Sequence, residues 1–386
     1  MIYTPYGCAM DTTAGGLKDV VAASTALSDV DGERGELTLA GYPLAELAGR
    51  ATFEETTWLL WRGVLPDTRQ LAAFGAELAA ARALSGRTLA SLRDCARDGL
   101  EPIDALRVAA GTLSPGVEAP LIVAQFPAAV AAYWRMCCDA EPVAPRCDLG
   151  HAANFLYMLT GVEPAAERVH ALETYLNTMI DHGLNASTLT ARVIASTGSD
   201  LVSTVVGALG ALKGPLHGGA PGPALGAVFE IGAASRAEAV LRAKLERGEK
   251  LMGFGHRVYR LRDPRAVVLA AAAERLYTGA GDMALYRLAL AVEETALRLL
   301  EEYKPARRLQ TNAEFYTALL LHGLELDARL FTPVFAISRV SGWIAHAEEQ
   351  RRDNRIIRPL SRYVGPRGRR WVPLEERRSS AEASPQ

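Results

Sequence analysis

Residues 201–222 read "LVSTVVGALGALKGPLHGGAPG". From Leu201 to Lys213 the side chains are small and apolar around the whole helical wheel, which predicts a helix packed on all sides. Gly214 and Pro215 must end it, because glycine suits a helix C-terminus and proline disfavours the helical basin for the residue before it. The chain then delivers His217 just past a buried helix end, beside Gly218 and Gly219. Paired glycines let backbone approach a ligand closely. One stretch thus points both to a helical architecture and to a site at a helix end.

The rest of the sequence reads as almost all α. Ala and Leu dominate, and alternation with period two is scarce. In "ATFEETTWLLWRGVLP" (51–66) Thr52 and Glu55 form a capping box, Gly63 suits the residue after the helix, and Pro66 follows. In "LYRLALAVEETALRLLEEY" (285–303) Leu285, Leu288, Val292, Ala296, Leu299 and Tyr303 recur at steps of three and four. The charged residues there fall mostly elsewhere on the wheel. A few short strands are expected in "GELTLAGYPL" (35–44).

A length of 386 residues predicts two domains, or one large domain with an inserted lobe. Apolar residues make up 49%, charged residues 22%, and the net charge is −2. That balance gives no reason to expect nucleic-acid or membrane binding. The longest apolar run, "APLIVAQFPAAVAAYW" (119–134), is too short to span a bilayer and contains Gln125 and Pro127. The first residues have neither a basic nor an apolar leader region, so a cytoplasmic protein is expected. Five cysteines without C-x-x-C spacing predict reduced thiols, with Cys137 and Cys138 serving helix packing. The tail "SSAEASPQ" (379–386) is expected to be disordered.

Three histidines stand beside glycine in stretches that read as loops: His182 in "DHGLNAST" (181–188), His217, and His256 in "LMGFGHRVYRLRDPRA" (251–266). One such histidine alone is an ordinary loop residue bonded to backbone; three together favour a site. Metal binding fits poorly, since no two lie at i, i+3 or i+4 and no acid accompanies them at ligand spacing. Asp263-Pro264 reads as the N-cap and first residue of a new helix, with Arg265 near its start. Arg257, Arg260, Arg262 and Arg265 cluster next to His256, as a solvated face or as a polyanion site. Arg339, in "FTPVFAISRVSGWIAH" (331–346), falls on an apolar stripe between Phe335 and Trp343. It must either snorkel to solvent or meet a carboxylate from the protein or a ligand. In "TNAEFYTALLL" (311–321) the lone acid Glu314 stands either on a wet helix edge or in a dry site.

Taken in order, "DHGLNAST", "ALKGPLHGGA", "GFGHRVYRLRDPR" and "ISRVSGW" resemble the citrate synthase family. The likeness extends from "GLKDVVAASTALSDVDGERGELTLAGYPLAELA" to "RIIRPLSRYVG". The resemblance implies an all-α homodimer, with a large domain of residues 1–218 and 318–386. A small domain, 219–317, would close over the cleft. It implies condensation of acetyl-CoA with oxaloacetate and hydrolysis of the thioester to citrate and CoA, with no metal or organic cofactor. His217 resembles the group that hydrogen-bonds the thioester carbonyl, Glu314 the base for the methyl proton, and His256 the group that polarises the ketone. His182, Arg265 and Arg339 resemble the groups that hold the substrate carboxylates. Arg358 resembles an arginine contributed by the partner subunit, and Arg260 and Asn312 fall near CoA.

Two positions depart from the family pattern. "GGAP" stands for the usual "GGAN", so Pro221 removes an amide side chain and an N–H. "TNAEFY" stands for "PNVDFY", so the base is Glu rather than Asp. The extra methylene adds about 1.5 Å of reach, and a misplacement near 1 Å can cost on the order of 10²-fold in rate. Ala313 replaces a larger neighbour and leaves room for a longer side chain to fold back. Propionyl-CoA as substrate, a homologue that binds without turnover, and the machinery run as a lyase on citryl-type thioesters all stay open at this point.

Overall fold

The computed structural model describes residues 17, 20–218, 221–256, 258–280 and 283–377, with backbone alone at Pro221. Among these residues are sixteen α-helices and one three-stranded antiparallel sheet. The strands Ser28–Asp31, Glu36–Leu39 and Tyr42–Pro43 pair in sequence order, with Ser28 opposite Leu39 and Leu39 opposite Tyr42. Leu37 and Leu39 point inward and are buried. The expected strands in 35–44 are there; Ser28–Asp31 joins them.

The helix Phe331–Arg352 runs through the core, buried on nearly every side. Helices Ala119–Cys137, Ala166–Met179, Ala186–Ser196 and Leu201–Leu212 surround it. Gly342 permits one close approach: a Cβ there would stand 2.3 Å from the carbonyl oxygen of Ile180, just past the end of helix Ala166–Met179. Helix Pro264–Ala280 packs on both Ala313–Gly323 and Ala166–Met179. Pro221–Ile231 also lies on Ala313–Gly323, and Ala234–Glu246 packs on Met283–Tyr303. Position 317/318 falls within the helix Ala313–Gly323.

Local signals act as expected. Thr52 and Glu55 close a capping box on helix Phe53–Arg62, and Gly63 ends it at φ 77°. In Met283–Tyr303 the stripe Val292, Ala296 and Leu299 is buried. Glu293 is buried as well, where Tyr316 and Arg262 hydrogen-bond its carboxylate. Two expectations need correction. Leu201–Leu212 is buried along most of its surface, but Ser203 and Gly210 reach solvent, so it is not packed on all sides. Cys137 and Cys138 stand exposed at the end of their helix rather than serving packing, since a side chain open to water buries little apolar surface against its neighbours. Cys95 is buried, and all four described cysteines are free thiols. No helix among the described residues is long and apolar enough to cross a membrane. Residues 1–16 and 379–386, with the expectations drawn from them, lie outside the described residues, as do Cys8 and Arg257.

Candidate active site

The turn 181–183 carries His182 off the end of helix Ala166–Met179. Its Nε2 shares a 3.1 Å hydrogen bond with the Tyr259 hydroxyl, and its ring centroid lies 5.5 Å from that of His256. Burial, then Arg265, His256 and Arg339, hold the His182 imidazole well below its ordinary value, so it is neutral at pH 7. Beneath it, Asp181 is fully buried. One face of its carboxylate meets His346 Nε2 at 3.2 Å, and Ser28 Oγ donates to Oδ2. Burial opposes its ionisation, but His346, Arg339 and Ser28 outweigh it and keep the group below the usual carboxylate range.

His256 sits on a loop bent by Gly253 and Gly255, at φ 88° and 85°. A Cβ on Gly255 would come within 2.9 Å of Leu309, so glycine is required both for the turn and for the approach. His256 Nδ1 accepts the N–H groups of Val258 and Tyr259, each at 3.1 Å. A neutral ring must therefore carry its proton on Nε2. Burial and then Arg265 lower this imidazole to about 4. Its Nε2 lies 3.3 Å from Nη2 of Arg265. Two donors converge there, which leaves a place for an acceptor oxygen.

Arg265 and Arg339 supply charge in different ways. Arg265, near the start of its helix, is locked to Asp263 through Nε at 3.0 Å and Nη2 at 2.7 Å. Asp263 Oδ2 also accepts the Ala313 N–H at 3.2 Å, so the arginine and the helix Ala313–Gly323 share one anchor. Arg339 is only 1% exposed, which rules out snorkelling. Its Nε donates to the Met179 carbonyl at 2.7 Å and its guanidinium lies 4.8 Å from the Phe335 ring centroid. Among the described residues no carboxylate forms an ion pair with it. Burial, partly offset by Asp181, lowers it to about 10. A dry, unpaired guanidinium is a receptor for an anion.

His217 lies beyond the end of Leu201–Leu212, where its N–H bonds the Gly214 carbonyl at 2.9 Å. Burial, then Arg339, lowers its imidazole to about 4. Its Nε2 is 2.8 Å from Ser187 Oγ. That hydroxyl also meets Asn185 Oδ1 at 2.8 Å and accepts from Trp343 Nε1 at 3.1 Å. The hydroxyl rotor decides the tautomer: directed at His217 it fixes the imidazole proton on Nδ1, and directed at Asn185 it fixes it on Nε2.

Glu314 is the second residue of its helix, with its N–H bonded to the Asn312 cap at 3.0 Å. Its side chain has no hydrogen-bond partner among the described residues. Burial raises the carboxyl to about 7; Arg265 partly offsets this and Asp263 adds to it. Partly exposed but mostly enclosed, it is an acid whose proton affinity is set by burial, not one on a wet edge.

A family model described as "Citrate synthase, C-terminal domain" matches residues 16–360. The chain belongs to the citrate synthase family. It is 40% identical over 379 residues to citrate synthase 2 of Bacillus subtilis, covering 95% of this chain and 100% of that one. It is 39% identical over 376 residues to a 2-methylcitrate synthase of Shewanella oneidensis, covering 95% and 98%. The solved citrate synthase of Thermoplasma acidophilum, in ternary complex with carboxymethyl coenzyme A and oxaloacetate, superposes with a TM-score of 0.87 at 28% identity, covering 95% of this chain and 100% of that one.

Six of the expected residues thus form one cluster: His182, His256, Arg265, Arg339, His217 and Glu314 are joined by contacts or by mutual electrostatic influence. Three stand differently. Arg358 is exposed in the irregular segment after Phe331–Arg352, with no hydrogen bond or ion pair among the described residues. Arg260 has an exposed side chain, and its N–H bonds the Gly32 carbonyl at 2.9 Å. Asn312 caps its own helix while its Nδ2 donates to the Gly255 carbonyl at 2.8 Å, which ties the His256 loop to the Glu314 helix. Pro221, the departure from the citrate synthase pattern, is the first residue of helix Pro221–Ile231, where a missing N–H costs little. The sequence reading missed Tyr259, Ser187 and Asp181 as supports of the cluster and gave Asp263 only a capping role. For Asp263 the signal was a carboxylate two residues from Arg265. Tyr259 had none, because its partner His182 is 77 positions away.

Proposed function

We propose that this protein condenses acetyl-CoA with oxaloacetate and hydrolyses the product thioester to citrate and CoA. One observation supports this above others: an unpaired buried guanidinium, Arg339, and an unpaired, mostly enclosed carboxyl, Glu314, belong to one cluster with three neutral imidazoles. In the reaction Glu314 takes a proton from the acetyl methyl group, leaving an enol or enolate. His217 donates to its oxygen from Nδ1, with the Ser187 hydroxyl turned toward Nε2. A base near pH 7 suits a weak carbon acid better than an ordinary carboxylate. The new carbon–carbon bond forms at the ketone carbon of oxaloacetate. His256 Nε2–H polarises that ketone and passes its proton to the emerging alkoxide. His182, Arg265 and Arg339 hold the two carboxylates. Water then cleaves the thioester, releasing CoA. No metal or organic cofactor enters any step.

The same reading makes residues 219–317 a lobe that closes on the remainder to exclude water during bond formation. It makes the protein a homodimer in which Arg358 completes the partner's site, with Arg260 and Asn312 near CoA. The exposed apolar Leu360, Val364 and Trp371 in the segment that follows Arg358 support burial of that segment against a second copy. Its four described thiols are free, in keeping with a cytoplasmic setting. The likeness to a 2-methylcitrate synthase supports propionyl-CoA as a second candidate. The test is release of free thiol from acetyl-CoA or propionyl-CoA in the presence of oxaloacetate. Release with acetyl-CoA is expected; no release with either, despite oxaloacetate binding, overturns the proposal.

A further inference from the structure

The oxaloacetate pole is divided between two segments far apart in sequence. The turn 181–183 presents His182, and the loop 256–262 presents His256 and Tyr259. Among the described residues their one direct hydrogen bond is Tyr259 to His182. Arg265 rides with the second segment, and Arg339 is bonded to the backbone just before the first. Two like charges in a dry site repel until an anion arrives, so something else must hold the segments together.

The N-terminal sheet touches both. Ser28 bonds the Asp181 carboxylate and accepts the Gly183 N–H at 2.9 Å. Val30 packs on the same turn, 3.5 Å from where a Cβ on Gly183 would stand. At the other end of this first hairpin the Gly32 carbonyl accepts the Arg260 N–H at 2.9 Å. Gly32 lies directly against Val258: a Cβ there would be 2.4 Å from the Val258 oxygen, and its three nearest atoms all belong to Val258. The Val258 N–H in turn fixes His256 Nδ1 at 3.1 Å. We infer that the hairpin 28–39 is a clamp that sets the spacing of His182 against His256 and Tyr259, and with it the affinity for the keto acid. Ser28 and Gly32 are its positioning residues. The inference rests on reading His182 and His256 as the oxaloacetate pole.

Gly32→Ala tests it. Gly32 is not in the left-handed region, so the new methyl group strains contact with Val258 rather than its own backbone. Relief to the 3.4 Å of ordinary contact needs a shift of about 1 Å, for which a loss on the order of 10²-fold in kcat/KM is expected. The loss should appear in KM for oxaloacetate, with KM for acetyl-CoA within about twofold of wild type. Ser28→Ala should act in the same direction by about threefold to tenfold, and it carries the test if Gly32→Ala does not fold. Gly75→Ala, where a Cβ meets nothing within 4 Å, should leave both constants unchanged. With histidine-selective labelling and no substrate, the His182 and His256 ring resonances should move in both clamp variants, while the remote His151 stays. Oxaloacetate KM within twofold of wild type in both, or unmoved rings, overturns the clamp. Absence of thiol release by the wild type would instead overturn the functional reading, and the ring resonances would still decide the clamp.

Discussion

Replacing Glu314 by glutamine should inactivate the protein and make it more heat-stable above neutral pH. The folded state raises this carboxyl from 4.5 to about 7, chiefly by burial. Between those two values the native protein binds a proton that the unfolded chain releases, so stability falls as pH rises through the window. The contribution is fully present below pH 4.5 and fully lost above about 7. A shift of this size corresponds to about 3 kcal/mol. For a chain of 386 residues that is a Tm difference of about 4 °C. Glutamine is neutral throughout, so Glu314→Gln should match the wild type at pH 4 and exceed it by about that amount at pH 8. Thiol release should fall by about 10²–10⁴-fold, the usual contribution of a general base. In the wild type kcat/KM should rise through a single limb near pH 7, because His217 and His256, at about 4, are already neutral there. A variant no more heat-stable than wild type at pH 8, or one that turns over normally, would refute the enclosed base.

Glu314→Asp withdraws the carboxylate by about 1.5 Å and should slow thiol release on the order of 10²-fold; an increase of that size would show that the native carboxylate is badly placed for acetyl-CoA. Arg339→Lys keeps the charge but loses the planar fork. Oxaloacetate binding by calorimetry should weaken by about tenfold or more, and unchanged affinity would remove Arg339 from the carboxylate site. Gly342→Ala forces a methyl group to 2.3 Å from the Ile180 oxygen. It should lower the urea midpoint by an amount equivalent to about 1–3 kcal/mol, and a neutral result would mean the two segments are not packed as described.

The chain alone carried the mainly helical class, several helix ends, and the residue types that meet in the cluster. Those features are local: a capping box spans four residues, glycine and proline stop a helix where they stand, and a buried stripe repeats every three or four positions. Tertiary structure decided what each charge meets. Arg339 and Arg265 look alike in sequence, yet Asp263 neutralises one and the other waits unpaired. Glu293 and Glu314 both lie in helices rich in apolar residues. One is satisfied by Tyr316 and Arg262, and the other is left with a raised affinity for protons. Ser28 supports a histidine more than 150 residues away, through Asp181. Such pairings depend on which distant segments the fold brings within 3 Å, and on how much water it removes around them. Neither quantity is written in any one stretch of the chain.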